Sequence, residues 1–489
     1  FNSVFKEVAM IKRACLYLII ILLILGSSIS STAIRYKESN ALKLHVDSVI
    51  VDTHNDAMSK IVDENTWLPV TDIRYNTNNH IDIPKMRAGN LKVGFFAAYT
   101  SAYHGNSNRA LSRTLALLNA LYWTEDSNRD IFTITKSYEE IERAILDWKI
   151  AAVPSIEGAY AISNKNGIEL LRQFNDLGVK AIGFTWNYSN ELGEGAYEVY
   201  VDKNGKPSTG GLTKLGEDII GEMNRLGILV DVSHLNVDTF WDVINITKAP
   251  IIASHSGVYT IKPHQRNLND DQLKAIAENG GVVGMVLYRG FVKGMDNTYI
   301  KDFVDHIDYA VKLIGIDHVG LGSDFDGGEI PLDMADVSEM YKITEELVHR
   351  GYSEEDIKKI LGRNTLRVIK EAEALAEKPK SAKDVVITPY IEMGEIVTKS
   401  MPKLSAKVEG LNINKLRIIV DGIAYDPIYD EKDSIVSLQL KDKLIEKFHV
   451  VTFEATDDEG AIKRETRIFC FCHPERSRGR FAFDYALSK

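Results

Sequence analysis

Polar side chains that could bind a metal ion follow several short apolar runs in the first two thirds of the chain. His54 and Asp56 follow the run SVIVD and lie two residues apart, so both point to the same side of an extended chain. The other candidates are Glu157 after IAAVPSI, His234 after GILVDVS, His255 after PIIAS, and Asp324 after HVGLGS. Imidazole and carboxylate together suit zinc or a similar divalent ion, and these ligands suffice for two ions that share one carboxylate.

Each candidate residue also has a simpler explanation. A single histidine or aspartate at the end of a strand usually caps a loop or a helix. The chain has only 12 histidines, however, and three of them occupy strand ends together with carboxylates. The joint placement therefore favours a metal centre over separate structural roles.

The elements that must position these residues alternate in type. Eight apolar runs, from SVIVDTH to HVGLGSDFDG, are predicted strands, and amphipathic segments such as GIELLRQFNDLG and YIKDFVDHIDYAVKLIG are predicted helices between them. Eight such repeats predict an α/β fold, a (β/α)8 TIM barrel, in which catalytic groups project from the carboxyl ends of the strands. An open doubly wound sheet shares the alternation and is the alternative, but the count favours the barrel.

Composition excludes several classes of protein. The chain has 489 residues, 45% of them apolar and 26% charged, which is ordinary for a folded globular protein. With 58 basic and 69 acidic side chains the formal net charge is -11, the wrong sign for a nucleic-acid binder. The only cysteines are Cys15, Cys470 and Cys472, so the middle of the chain has no cysteine nucleophile, cysteine zinc site or disulfide.

The two ends differ from the middle in composition. Residues 1–33 contain Lys12 and Arg13, the apolar run CLYLIIILLIL and small residues, which predicts a signal peptide and export from a bacterium-like cell to the outside or the cell surface. An uncleaved anchor is the weaker alternative, because the run is shorter than the ~20 residues that span a bilayer. Residues 384–472 alternate apolar and polar positions and predict a small all-β, sandwich-like domain, and residues 473–489 are left unassigned.

Ordered motifs between about Leu44 and Ala376 resemble the membrane dipeptidase (renal dipeptidase) family of zinc peptidases. The motifs are VDTHND, IEG, GLTKLGEDIIGEMNRLGILVDVSHLN, PIIASHSG followed by HQRNLND, GLGSDFDG and GRNTLRV. The resemblance implies a (β/α)8 barrel, residues 34–378 here, with two zinc ions per chain, a metal-bridging hydroxide as nucleophile and dipeptides as substrates. The β-rich segment is weakly similar to bacterial immunoglobulin-like surface modules, so a contact with the cell surface or cell wall is left open, as is a homodimer.

The same resemblance implies a role for each candidate. His54 and Asp56 would bind one zinc, His234 and His255 the other, and Glu157 would bridge both. The remaining two are Asp324, the expected acid/base, and Arg266, expected to bind the substrate carboxylate. Because all these residues precede Gly328, we expect residues from about Leu44 to Lys378 to fold and act without the β-rich module.

One departure and two rival functions stay open at this stage. Animal members carry a histidine after strand four that contacts the developing oxyanion, whereas this chain has Trp186, Asn187 and Tyr188 there. The metal alone, Asn187 or Tyr188 would have to replace it. The rivals are an amidohydrolase-type enzyme, which typically has H-x-H on strand one and a bridging lysine on strand four, and a non-catalytic surface-binding protein. The H-x-D motif and the position of Lys180 at the start of strand four argue against the first rival, and the intact ligand set against the second.

Overall fold

The computed structural model describes residues 40–105, 107–197, 210–377 and 380–472. The predicted signal peptide and the unassigned segment 473–489 lie outside these ranges. Within them, no helix combines the length and apolar character needed to cross a membrane.

Eight parallel strands close into a barrel. Their order around the ring is β1, β2, β4, β5, β6, β7, β8, β9, and β9 pairs again with β1. Nearly all of their residues are buried, because helices cover the outside and side chains fill the inside. The bounds are β1 Ile50–Asn55, β2 Leu91–Tyr99, β4 Ile150–Glu157, β5 Ala181–Gly183, β6 Leu229–Asp231, β7 Ile252–Ser256, β8 Val282–Val286 and β9 Val319–Gly322.

Amphipathic helices surround this barrel, and local signals set their ends. The helix at Lys214–Leu226 begins after Thr213, whose side chain accepts a hydrogen bond from the Gly216 N–H, and ends at Gly227 in the left-handed conformation (φ 70°). The helices are α1 Ala57–Ile61, α2 Ile83–Ala88, α3 Asn108–Ser127, α4 Tyr138–Leu146, α5 Gly167–Asp176, α6 Lys214–Leu226, α7 Val237–Ile246, α8 Asp270–Glu278, α9 Arg289–Val292, α10 Ile300–Ile314, α11 Tyr341–His349, α12 Glu354–Lys358 and α13 Asn364–Ala374.

Two facing sheets form the C-terminal all-β domain, which we call the β-module. One sheet has the order β10-β12-β16-β15 and the other β11-β18-β17-β13-β14. Their inner faces share a separate apolar core that includes Leu404, Ile418 and Phe453. The strands are β10 Val386–Pro389, β11 Glu395–Val397, β12 Lys403–Glu409, β13 Ile413–Val420, β14 Ile423–Tyr425, β15 Ile428–Asp430, β16 Ile435–Gln439, β17 Phe448–Asp457 and β18 Ile462–Phe471.

The β-module packs directly against the barrel. Phe448, Val450 and Ile468 belong to the same buried apolar cluster as the barrel helices. Gln173 on α5 is fully buried in the interface: its Nε2 donates to Ile419 O (3.1 Å) and Thr452 Oγ1 (3.0 Å), and its Oε1 accepts from Gly422 N (2.7 Å). The module is therefore joined to the barrel by a shared core as well as by the chain.

The predicted (β/α)8 barrel and the all-β domain after it are both confirmed. All eight predicted strands are barrel strands, and the structure adds a short strand, β3 (Phe132–Ile134), beside β4. The last helix ends at Ala374 and the first module strand begins at Val386. That the barrel folds and acts without the β-module stays a prediction. The apolar core that the two share contributes to the stability of the protein, which the sequence did not suggest.

Candidate metal centre and active site

The residues predicted to bind metal all lie at the carboxyl end of the barrel. His54 is on β1 and Asp56 follows it, Glu157 is the last residue of β4, His234 follows β6, and His255 is on β7. All five are buried, with at most 7% of their surface exposed. The barrel therefore brings together side chains that are up to 201 positions apart in the sequence, as between His54 and His255.

Glu157 lies at the centre of this group. Its Oε1 is 2.8 Å from His234 Nε2 and 3.5 Å from His255 Nε2, and its Oε2 is 3.5 Å from His54 Nε2. His54 Nε2 is in turn 3.6 Å from Asp56 Oδ2. One oxygen of Glu157 thus faces His234 and His255, and the other faces His54. A carboxylate that bridges two ions requires this arrangement.

The hydrogen bonds of the histidines show that this donor set fits a cation. His234 Nδ1 is 3.0 Å from Asn187 Oδ1, and its Nε2 is 2.8 Å from Glu157 Oε1. That Nε2 is also 2.9 Å from His255 Nε2, so two ring nitrogens and a carboxylate oxygen converge on one point, as the ligands of a common cation do. His54 Nε2 and Asp56 Oδ1 are also buried without a hydrogen-bond partner. Imidazole and carboxylate donors in this state are ligands for a divalent metal.

Burial and close charges shift the pKa values of these groups in opposite directions. Burial lowers the pKa of His234 to about 3, with Arg266 contributing, so its imidazole is neutral at pH 7. Burial alone would lower the pKa of His54 too, but the carboxylates of Glu157 and Asp56 raise it well above its ordinary value. A site that separates its pKa values in this way has the electrostatics of a functional centre rather than of a surface ion-pair network.

Asp324 stands beside the proposed ligands and holds a proton more tightly than an ordinary aspartate. Its backbone N–H donates to His54 O (3.1 Å), and its side-chain oxygen lies within 4.8 Å of ligand atoms of His54 and Asp56. Burial raises the pKa of Asp324 to about 8; His54 opposes the rise, and the Asp56 and Glu157 carboxylates add to it. Its carboxyl group can therefore accept and return a proton near neutral pH.

Left-handed backbone turns aim two of these side chains into the site. His234 has a φ of 68° and Asp324 a φ of 61°, a region that non-glycine residues seldom occupy. Gly327 lies against Asp324 and Asp56, and a Cβ at this position would clash with the carboxylate oxygens of both. A glycine is therefore required where the loop after β9 passes the centre.

The centre opens into a cavity of about 440 Å³. Aromatic residues form much of its wall, and Lys60 and Glu329 add charges of opposite sign. The aromatic lining consists of Tyr99, Trp186, Tyr197, His264, Tyr288 and Phe291. This size and lining suit a small polar molecule with apolar substituents.

Arg266 lies behind the cavity lining rather than in it. It is 3% exposed, its Nη2 donates to His255 O (3.2 Å), and its guanidinium stacks over the Phe291 ring at 5.3 Å. Burial lowers its pKa to about 10, so the side chain stays cationic at pH 7, and its Nε has no hydrogen-bond partner. A buried cation with an unused donor next to the centre can bind an anion that enters the cavity.

The positions of several residues bear on the alternatives that the sequence left open. Lys180 forms an ion pair with Glu373 (3.5 Å) at the start of β5, the end of the barrel opposite the centre, so it does not bridge metals there. Of the two residues expected to replace the absent histidine, Asn187 lines the cavity and supports His234, whereas the Tyr188 carbonyl accepts a hydrogen bond from the Tyr160 hydroxyl. Trp186 is a cavity-wall aromatic.

Sequence reasoning missed the groups that support the histidines. Ser254 contacts His255 Nδ1 at 2.8 Å and Asn187 contacts His234 Nδ1, yet neither role follows from spacing along the chain. A signal for such groups does exist: Asp231 interrupts the apolar run ILVDV, and an acidic residue inside a buried strand needs a partner there.

Comparison with known proteins gives this centre a family. A sequence profile of the membrane dipeptidase family (peptidase family M19) matches residues 38–383, and an uncharacterized dipeptidase of Schizosaccharomyces pombe is 34% identical over 343 residues, which are 67% of this chain and 81% of that protein. The chain belongs to the membrane dipeptidase family.

Solved structures agree with membership of the membrane dipeptidase family. A metallopeptidase from Rhodobacter sphaeroides, solved with a phosphinate mimic of the dipeptide L-Ala-D-Ala, is 29% identical and superimposes with a TM-score of 0.59 over 67% of this chain and all of its own. The dipeptidase AC structure, also of family M19, is 30% identical with a TM-score of 0.59 over 66% of this chain and 98% of its own. By family, this chain is thus a metal-dependent dipeptide hydrolase, and the predicted family resemblance is confirmed.

Proposed function

We propose that the protein is an exported dipeptidase that uses two zinc ions per chain. The observation that carries the proposal is the convergence of His234 Nε2 and His255 Nε2, 2.9 Å apart, beside one oxygen of Glu157 whose other oxygen faces His54. One ion next to His234 and His255 would relieve that contact. A second, held by His54 and Asp56, would satisfy the two buried atoms that lack partners.

In this proposal the roles of the residues follow from their positions. His54 and Asp56 hold one ion, His234 and His255 hold the other, and Glu157 contributes an oxygen to each. When bound, the metal pair supplies a polarised scissile carbonyl and a water of lowered pKa. Zinc is the proposed metal because imidazole and carboxylate are its usual ligands, although manganese or cobalt would suit the same donors.

Asp324 moves the proton in the proposed reaction. Standing beside His54 and Asp56, its carboxylate would take a proton from the attacking water and return it to the leaving amine as the peptide bond breaks. Arg266, a buried cation that donates to the His255 carbonyl behind the cavity lining, would attract the free carboxylate of the dipeptide. The cavity of about 440 Å³ limits the substrate to a short peptide.

One experiment tests the metal and the substrate together. Purified protein should contain two zinc ions per chain by elemental analysis and should hydrolyse members of a panel of dipeptides. The panel should include L-Ala-L-Ala and L-Ala-D-Ala, because a related structure holds a mimic of the latter, and dihydroorotate as an amidohydrolase substrate. Glu157→Gln should weaken both metal sites. Active protein with one ion or none would overturn the binuclear proposal, and turnover of only the cyclic amide would favour the amidohydrolase alternative.

Export rests on the predicted signal peptide alone. If residues 1–33 direct secretion, the full chain expressed in a bacterium should lose its leader and reach the periplasm or medium, and a variant with Lys12 and Arg13 changed to Glu should be retained. Retention of the unaltered chain in the cytoplasm would overturn this part of the proposal without affecting the dipeptidase.

A further inference from the structure

A buried serine and aspartate stand behind His255, on the side away from the cavity. Ser254 precedes His255 on β7, and Asp231 ends the neighbouring strand β6; they are 2% and 5% exposed. Ser254 Oγ lies 2.5 Å from Asp231 Oδ2 and 2.8 Å from His255 Nδ1. The three polar groups therefore form a continuous chain that ends at a proposed metal ligand.

With Asp231 ionised, the protons available along this chain determine the tautomer of His255. Asp231 Oδ1 already accepts from two backbone N–H groups, those of Ser233 (3.0 Å) and Ser254 (2.9 Å). Its Oδ2 accepts the single hydroxyl proton of Ser254, so Ser254 Oγ can only accept from His255 Nδ1–H. The proton of a neutral His255 is then on Nδ1, and Nε2 presents its lone pair towards Glu157, 3.5 Å away.

We propose that Asp231, acting through Ser254, is a positioning group that sets the tautomer and ring orientation of His255 for metal binding. Outer groups that hold the second nitrogen of a ligating histidine typically change metal affinity by about 10- to 100-fold when they are removed. The inference rests on the proposed metal-dependent function, but it concerns residues that no family motif identified as ligands.

The alternative is that Asp231 and Ser254 only join strands β6 and β7. The same fold contains a second aspartate–serine contact that serves as a control for this alternative. Asp52 and Ser323 repeat the contact: Ser323 N donates to Asp52 Oδ1 (2.7 Å) and Ser323 Oγ to Asp52 Oδ2 (2.8 Å). The Ser323 hydroxyl, however, also faces the backbone carbonyl of His54 (3.0 Å) rather than an imidazole nitrogen. The contact with a ring nitrogen is thus what distinguishes Ser254 from a serine that joins strands.

The two proposed ligands of the second ion are also supported differently. His234 Nδ1 meets the neutral amide oxygen of Asn187, whereas His255 Nδ1 meets a hydroxyl that a carboxylate polarises. A donor chain that ends in a negative charge makes the far nitrogen a stronger electron donor. Loss of Ser254 should therefore weaken the ion held by His255 and leave the other ion bound.

The test measures zinc transfer from the full-length holoprotein to a chromophoric chelator, together with the melting temperature of the metal-free protein. Ser254→Ala should release one of two ions at a chelator concentration about 10- to 100-fold lower than wild type. Ser254→Thr keeps the hydroxyl and should restore most of the affinity. Ser323→Ala should lower the melting temperature about as much as Ser254→Ala but leave zinc affinity unchanged, because the Ser323 hydroxyl contacts Asp52 and a backbone carbonyl and no ring nitrogen.

Each outcome bears on the inference separately from the dipeptidase proposal. Wild-type zinc affinity in Ser254→Ala, or equal weakening in Ser323→Ala, would overturn the positioning role even if dipeptides are hydrolysed. Selective loss of one ion in Ser254→Ala would support it even if wild-type protein hydrolysed no dipeptide. Asp231→Asn should repeat the Ser254→Ala result.

Discussion

Two cavities of the molecule differ in kind: the one at the barrel centre, and the module cavity, whose wall consists of β-module residues and of barrel residues that include Asn108 and Asn166. The larger of the two is not the candidate active site. The module cavity is about 750 Å³ against about 440 Å³ at the barrel centre. Its wall includes Ile428 and Ile445, which are 74% and 85% exposed, and a single close acid–base pair, Asp421 and His449 (2.7 Å). The barrel cavity is instead lined by the buried His234 and His255 together with several carboxylates, and His54 lies beside them. The convergence of titratable groups, rather than volume, therefore marks the site of chemistry.

Exchanging one carboxylate for an amide in each cavity should sharpen this contrast most. Asp324→Asn removes the group that accepts and returns the proton, so kcat should fall about 10³-fold, within the range for general acid–base catalysts. Asp421→Asn makes the same chemical change in the module cavity and should leave kcat unchanged. Steady-state kinetics on a hydrolysed dipeptide, at equal zinc content, measures both. A fall of less than about tenfold in Asp324→Asn would contradict its assigned role.

Removing the buried cation of the barrel should have the next largest effect. Arg266→Ala should lower kcat/KM for free dipeptides about 10²-fold, mainly through KM, because a charge-assisted contact with the substrate carboxylate is lost. Wild-type protein should act poorly on dipeptide amides, which lack that charge, and Arg266→Lys should recover only part of the activity because an ammonium lacks the planar fork.

An arginine at the other end of the barrel is the control for that variant. Arg367 hydrogen-bonds Gly280 O (2.8 Å) and pairs with Glu371, so Arg367→Ala should keep kcat/KM near the wild-type value. If wild-type protein cleaves amidated and free dipeptides equally well, Arg266 does not hold the carboxylate.

The interface between the two regions should affect stability and leave activity intact. Gln173→Ala removes three hydrogen bonds across the interface and leaves their buried partners unsatisfied, so the free energy of unfolding should fall by about 2 kcal/mol. Denaturant titration measures this, with the exposed Gln439→Ala as the control expected within about 0.5 kcal/mol of wild type. Loss of kcat in folded Gln173→Ala would show that the module contributes to the site, against the predicted autonomy of the barrel.

The smallest expected effect is a pH dependence inside the β-module. Burial alone would lower the pKa of His449, but the Asp421 carboxylate raises it above the ordinary value. A raised folded-state pKa means that the protonated pair stabilises the module below pH about 6.5 and that this stabilisation is lost as pH rises through the folded pKa. The melting temperature of wild type should therefore decrease from pH 6 to pH 9 more steeply than that of Asp421→Asn. Parallel curves would contradict the pairing.

The sequence predicts the site better than its supports, for a physical reason. The metal-site roles of His54, Glu157 and His255 could be predicted because each side chain lies where an apolar run ends. Parallel strands in a barrel must bring these ends together. The Asp231 and Ser254 contact depends on which residues face each other across β6 and β7, and that register leaves no trace in a single sequence. Local patterns predict where chemistry can occur, whereas the residues that contact each other across two strands are known only from the folded structure.

Other differences come from short or exposed elements. β3 has three residues, too few for an alternating pattern to show, and β15 is exposed along its whole length, so no buried face marks it in the sequence. Arg266 was placed by its motif, but its burial behind the cavity wall follows from packing on Phe291 and could not be foreseen.

The left-handed turns at His234 and Asp324 have a consequence for how this enzyme could be improved. Each holds a non-glycine residue in a conformation that costs of the order of 1 kcal/mol or more, and the surrounding barrel core offsets that cost. Selection for heat resistance alone would favour glycine or asparagine at both positions, because either residue relaxes the backbone. The same replacements would remove a proposed ligand and the proposed proton carrier. Thermal robustness and turnover therefore compete at these two residues, and directed evolution for durability should be run with an activity screen at every round.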